Sequence, residues 1–106
     1  MRKPNPGTEP PKAFAVEFGP AWRRWAKRRT DTELEELARR LAEITTAFGQ
    51  PHRHSGLGVR RLTPRLFEFR IARAVRVVFA VVKPNTLQLA MCGGHDEVRV
   101  WLKGNS

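Results

Sequence analysis

The 106-residue chain predicts a small α+β domain, with an antiparallel sheet carrying two N-terminal helices on one face in the order β-α-α-β-β-β and a short helical turn at the C-terminus. Two observations predict it. Residues 66–91 alternate with the period of strands, and residues 30–48 repeat with the period of a helix.

Residues 1–12, MRKPNPGTEPPK, hold four of the eight prolines and no apolar pattern, so they are expected to be a flexible arm ahead of one domain spanning 13–106. Residues 13–18 alternate, with Phe14, Val16 and Phe18 inward and Glu17 outward, as a first strand. Gly19-Pro20 ends it and starts a helix with proline at the first position. Trp22, Trp25 and Ala26 make that helix's apolar side, and their helical spacing favours core anchors over base-stacking platforms. The second helix begins at Thr30, which forms a capping box with Glu33. Leu34, Leu37, Ala38, Leu41, Ile44 and Phe48 form its stripe, and Gly49 stands where a C-terminal cap belongs.

Residues 50–58 are polar and include His52 and His54. A His-x-His pair on a loop with no carboxylate or thiol nearby is a weak metal signal; a substrate contact and a plain surface loop are the other readings. No metal and no cofactor are expected. Residues 59–62 read as an edge strand or lead-in that brings Arg60 and Arg61 beside the hairpin, and Pro64 breaks the run before Arg65.

The hairpin follows from alternation. Phe67, Phe69 and Ile71 point one way, and Leu66, Glu68 and Arg70 the other. Val75, Val77, Phe79 and Val81 then oppose Arg76, Val78, Ala80 and Val82 in the same manner. A turn at Ala72-Arg73-Ala74 pairs Ile71 with Val75, Phe69 with Val77 and Phe67 with Phe79, which gathers the large apolar groups on one face. That register sets Arg70 opposite Arg76 with Glu68 one step along. Facing guanidinium groups repel, so either Glu68 or an external phosphate belongs between them; the competing reading is a solvated arginine face.

After a turn at Lys83-Pro84-Asn85-Thr86, Leu87, Leu89 and Met91 alternate with Gln88, Ala90 and Cys92. Three looped-out residues put the first set in the core, whereas two would put it on the arginine face, and three is the favoured count. Gly93-Gly94 ends this strand and delivers His95 beside Asp96 and Glu97, either for chemistry or as a strand-end histidine capping the Asp96 turn. Val98, Trp101 and Leu102 are spaced for one amphipathic turn over the sheet edge. Helices on one face leave the other for a ligand or partner.

Charge narrows the partner. Lys plus Arg number 20 against 10 Asp plus Glu, a formal net charge of +10. Between Ile44 and His95 the only acid is Glu68, against Arg53, Arg60, Arg61, Arg65, Arg70, Arg73, Arg76 and Lys83. A uniformly arginine-rich genome would explain the total but not the clustering, so nucleic acid is the leading partner class, with strongly salt-dependent binding. A membrane surface is disfavoured because no helix combines a basic face with a broad apolar one. The single cysteine, Cys92, excludes an internal disulfide framework and points to a reducing cytoplasm. No apolar run approaches the roughly 18 residues of a membrane span, and the N-terminus lacks a signal-peptide stretch.

The LFEFRI run, the V-R-V-V-F strand and the terminal G-G-H-D-E-V resemble the bacterial RelE/ParE toxin superfamily over roughly residues 13–102. Members commonly show an aromatic-Glu-hydrophobic-Arg strand, an Arg-hydrophobic-hydrophobic-aromatic strand and, in several branches, a glycine-then-histidine terminus. The resemblance implies a RelE-like fold and a bacterial cytoplasmic toxin that cuts messenger RNA on the ribosome without metal. It also implies a cognate antitoxin, held with the toxin in a hetero-oligomer. By position, Arg76 matches the arginine on the scissile phosphate and His95 the terminal general acid. Glu68 and Arg70 match the Glu-hydrophobic-Arg element. His54 or His52 lies where histidine-using branches carry a further active-site histidine. The chain has no tyrosine, so the family's tyrosine-dependent chemistry is absent. His95 as acid, Arg76 and Arg70 as phosphate clamp, and Glu68 or His54 as base is the assignment that follows, with Arg60, Arg61, Arg65, Arg73 and His52 as RNA contacts. For Glu68, neutralising the arginine pair competes with catalysis. Two other classes stay open: a ParE-like gyrase inhibitor, and a non-catalytic basic RNA-binding module.

Overall fold

The computed structural model describes residues 13–48 and 58–105. The N-terminal arm, Gly49 and the loop carrying His52 and His54 lie outside the described residues. The elements are β1 (Ala15–Phe18), α1 (Trp22–Ala26), α2 (Asp31–Ala47), β2 (Arg60–Arg61), β3 (Leu66–Ala72), β4 (Val75–Val82), β5 (Thr86–Gly93) and α3 (His95–Asn105). The strands form one sheet in the order β1-β5-β4-β3-β2.

The three-strand meander is as expected, but the sheet is mixed, because β1 runs parallel to β5. The connection through both N-terminal helices is what permits that crossover. Phe14 and Val16 pack on the core, as expected, whereas Phe18 is 60% exposed and lies against Trp22, with ring centroids 6.1 Å apart. The reason is local: the chain turns in immediately after it, where the Gly19 amide donates to the Leu89 carbonyl at 2.8 Å. A Cβ on Gly19 would sit 2.8 Å from that same oxygen, so glycine is needed for the close approach.

In α2 the Thr30 hydroxyl accepts from the Glu33 amide at 3.1 Å, and the Glu33 carboxylate accepts from the Thr30 amide at 2.9 Å, completing the capping box. Leu37 and Ile44 are buried, and Leu34, Leu41 and Phe48 pack beside them. Ala38 instead faces solvent, and Ala47 is buried in addition. Under this helix lie Phe67, Phe69, Ile71, Val77, Phe79, Leu87 and Leu89. Phe79, fully buried, is ringed by Phe48, Phe67 and Phe69 at centroid distances of 5.5, 5.6 and 5.9 Å.

The hairpin register pairs Phe67 with Phe79, Phe69 with Val77 and Arg70 with Arg76, as alternation requires. Ile71 does not pair with Val75. Ala72 does, and the irregularity between Arg70 and Ala72 is a bulge that shortens the turn to Arg73 and Ala74 while leaving Ile71 in the core. Between β4 and β5 three residues loop out, since Val82 pairs with Thr86, and Leu87 and Leu89 join the core. Met91 does not join them. A second bulge leaves Ala90 without a ladder position: Leu89 pairs with Phe79 and Met91 with Val78, so the strand's sidedness flips.

The flip builds the other face. Met91 joins Leu66, Val78 and Val98 in a second apolar cluster, with Trp25, Trp101 and Leu102 against it. The C-terminal segment is therefore not one turn at the sheet edge but an 11-residue helix, and it covers part of the face expected to be open. Val98, Trp101 and Leu102 are its inward side, as their spacing predicted. No helix among the described residues is long and apolar enough to cross a membrane.

Candidate active site

The uncovered part of that second face carries Glu68, Arg70 and Arg76. β3 supplies the first two through alternation, and β4 sets Arg76 directly across from Arg70. β2 then brings Arg60 opposite Glu68 on the outer side. The Glu68 carboxylate ends up between two cations: Oε1 is 3.5 Å from Arg76 Nη1 and 3.7 Å from Arg60 Nε. Glu68 is 4% exposed, the Arg76 side chain 14% and the Arg60 side chain 70%. These exposures make the two ion pairs unequal, because only the inner one is shielded from water.

Glu68 is the one buried charged residue among the described residues. Its Oε2 is buried and accepts no hydrogen bond from the described residues, and Glu68 also borders a cleft at the β3 edge. What Glu68 does in place is neutralise Arg76 and fix it beside the exposed Arg70. The pair of guanidinium groups then presents net positive charge to solvent, which suits a phosphate.

Ladder geometry connects this cluster to His95. Arg76 pairs with Gly93, so a residue without a side chain stands beside it on this face. Gly94 follows, and His95 is the exposed first residue of α3. The Arg73–Ala74 turn lies at this end too: a Cβ on Gly94 would be 3.7 Å from the Ala74 carbonyl. Arg70, Arg73, Arg76 and His95 thus share one end of the sheet. Arg61 is not part of this group. Paired with Phe67, it lies over that ring at 5.2 Å, on the opposite face from Arg60. Arg65 is exposed at the far end of β3, roughly five residues or 17 Å of strand from Arg70.

Some contributors were not singled out in the sequence. Arg40 of α2, with Gly58, Arg60, Glu68, Phe69 and Arg70, lines a cleft of about 330 Å³ at the β3 edge. Its signal was available: Arg40 is three residues after Leu37 and four before Ile44, within the inward stripe. Glu97 is the other. Its Oε1 accepts from the Gly94 amide at 3.1 Å, and its Oε2 lies 3.4 Å from Arg28 Nη1. Nearby Cys92 is no nucleophile, because burial pushes its thiol up to about 11, with Arg29 pulling it down and Glu33 and Glu97 adding weaker upward pushes.

No protein-family model matches the chain, and no curated protein matches it in sequence. Solved structures do match. A mutant of Escherichia coli toxin RelE in the free state has a TM-score of 0.64 at 16% identity, over 86% of this chain and 93% of that one. The archaeal RelE–RelB complex from Pyrococcus horikoshii gives 0.59 at 12%, over 78% and 96%. The YoeB dimer from Staphylococcus aureus gives 0.56 at 17%, over 79% and 99%. At these identities the likeness is one of architecture, and it matches the expectation drawn from the strand motifs: the chain has the RelE-type toxin fold.

Proposed function

We propose that the protein is the toxin of a type II toxin–antitoxin pair, an endoribonuclease that cuts messenger RNA on the ribosome and so stops translation in the bacterial cytoplasm. The observation that carries the proposal is the buried Glu68–Arg76 pair facing Arg70, with His95 held at the same end of the sheet. The RelE-type fold supports it independently.

The chemistry these residues support is transesterification. The 2′-hydroxyl loses its proton to a base, and its oxygen bonds to the neighbouring phosphorus. The bond from phosphorus to the 5′-oxygen breaks, and the departing oxygen takes a proton from an acid. Arg76 and Arg70 stabilise the charge gathering on the phosphorane oxygens, where preorganised cations are worth most. His95, as the general acid, supplies the proton to the 5′-oxygen. Glu68 or His54 is the candidate base, and Glu68 also neutralises Arg76. Products are a 2′,3′-cyclic phosphate and a 5′-hydroxyl.

Arg60 and Arg73 extend the positive surface along the RNA backbone. The partner that silences the site is a cognate antitoxin, whose acidic segment covers this basic face in a hetero-oligomer; archaeal RelE is itself known in complex with RelB. In a purified translation system, added protein should cut a translated message to 5′-hydroxyl ends, with His95→Ala and Arg76→Ala each losing at least about 100-fold in rate. Intact message with wild-type protein removes the nuclease reading. DNA breaks in cells whose messages stay whole would transfer it to gyrase, and salt-sensitive RNA binding without toxicity would leave a binding module.

A further inference from the structure

His95 stands at an unusual place for a residue that must aim a proton. It follows Gly93 and Gly94, and glycine loses more conformational freedom on ordering than any other residue. His95 is exposed, so packing does not hold it. Val98 anchors α3 three residues further on, but the two glycines before His95 have no side chains of their own to fix the junction from β5.

We infer that Glu97 is the positioning residue for His95, locking the Gly93–Gly94 junction through its two carboxylate oxygens. One oxygen accepts the Gly94 amide at 3.1 Å, while the Gly94 carbonyl accepts the Val98 amide at 3.0 Å to start the helix. In α2 the equivalent bond from Glu33 is answered by the Thr30 hydroxyl. Gly94 has no side chain to answer with, so Glu97 carries this cap alone. The second oxygen pairs with Arg28 at 3.4 Å, and the Arg28 guanidinium lies over the Trp25 ring at 5.7 Å. Trp25 packs on both apolar clusters, so the junction is tied through α1 to the body of the domain.

Gly93 completes the fit. A Cβ there would lie 3.0 Å from Glu97 Cδ and 3.0 Å from its Oε1, which places the carboxylate against the strand backbone opposite Arg76. Gly93 has no positive φ, so backbone strain is not what demands glycine at this position. The carboxylate is. Glu97 and Gly93 thus form one device that sets where His95 stands relative to Arg76.

This inference rests on the reading of His95 as general acid, and the experiment separates the two. Single-turnover cleavage on ribosomes and amide hydrogen exchange at Gly94 and His95 are measured for wild type, Glu97→Gln, Glu97→Ala, Gly93→Ala and the Gly93→Ala/Glu97→Ala double variant. Glu97→Ala should lower kcat about tenfold with KM within about twofold, and speed exchange at Gly94 about tenfold. Glu97→Gln keeps one acceptor for the Gly94 amide but loses the ion pair with Arg28, so it should fall between wild type and Glu97→Ala on both readouts. Gly93→Ala should reproduce the Glu97→Ala loss by displacing the carboxylate, and the double variant should be little worse than either single one. Unchanged kcat in Glu97→Ala, an equal loss in Glu97→Gln, or additive losses in the double variant would overturn the inference. If wild type cuts no RNA, the proposed function falls. Exchange at Gly94 and His95 still decides whether Glu97 holds the junction, and unchanged exchange in Glu97→Ala refutes it.

Discussion

Glu68 lies at nearly equal distance from two arginines, yet only the pair with Arg76 is shielded from water. At 3.5 Å and an effective dielectric of about 20, the attraction to Arg76 is about 5 kcal/mol; at 3.7 Å in a water-like dielectric, the attraction to Arg60 is about 1 kcal/mol. Desolvation offsets much of the first, and side-chain entropy and ions much of the second. Net coupling should be about 2 kcal/mol for Glu68 with Arg76 and below about 0.5 kcal/mol for Glu68 with Arg60. Glu68→Gln alone should cost about 2 kcal/mol, which lowers Tm by about 8–16 °C in a domain of this size. The assay is a pair of double-mutant cycles, Glu68→Gln with Arg76→Gln and with Arg60→Gln, by urea unfolding at low salt and at half-molar salt. Only the Arg60 coupling should fade with salt. Equal couplings, or none at Arg76, would refute the claim that a buried pair organises the site.

Other expectations follow from single contacts. Thr30→Ala removes the hydroxyl that accepts the Glu33 amide and should cost about 1 kcal/mol by urea unfolding. Gly19→Ala, which would press a Cβ to within 2.8 Å of the Leu89 carbonyl, should cost about 1–3 kcal/mol in the same assay; a neutral effect would mean that β1 does not sit as described. Phe79→Ala empties a fully buried site among three aromatic rings and should cost about 3–5 kcal/mol, enough to unfold a marginal domain by circular dichroism. Cys92 should resist iodoacetamide in native protein near pH 8 and react once unfolded. Its thiol, raised from 9.0 to about 11, keeps a proton that the unfolded chain releases, so the folded state is unaffected by this group below pH 9 and loses stability as pH rises from 9 to 11.

The hairpin that carries the site was legible because only one register puts Phe67, Phe69, Val77 and Phe79 together, and that register dictates Arg70 opposite Arg76. The α2 helix was legible from its capping box and stripe. The Ala90 bulge was not. Residues 87–92 are uncharged, so nothing in the alternation marks where the faces exchange, and Met91 could not be told from a core residue. The extent of α3 was hidden because Val100, 69% exposed, interrupts the amphipathic pattern and Gly104 weakens the helix signal. The parallel pairing of β1 with β5 joins segments about 70 residues apart, a contact that local patterning does not encode. For the site, residue types and strand order were enough to gather Glu68, Arg70, Arg76 and His95. They were not enough to show that Glu68 is nearly buried beside Arg76, or that Glu97 accepts the Gly94 amide, since burial and capping geometry are set by tertiary packing and not by local alternation.

The most direct test of the central claim is to express the protein briefly in bacteria and map 5′ ends on translated messages, beside Arg76→Ala and His95→Ala. New 5′-hydroxyl ends in register with codons, present for wild type and absent for both variants, are the predicted result. Messages that remain whole while growth arrests, or cuts that persist in both variants, would contradict it.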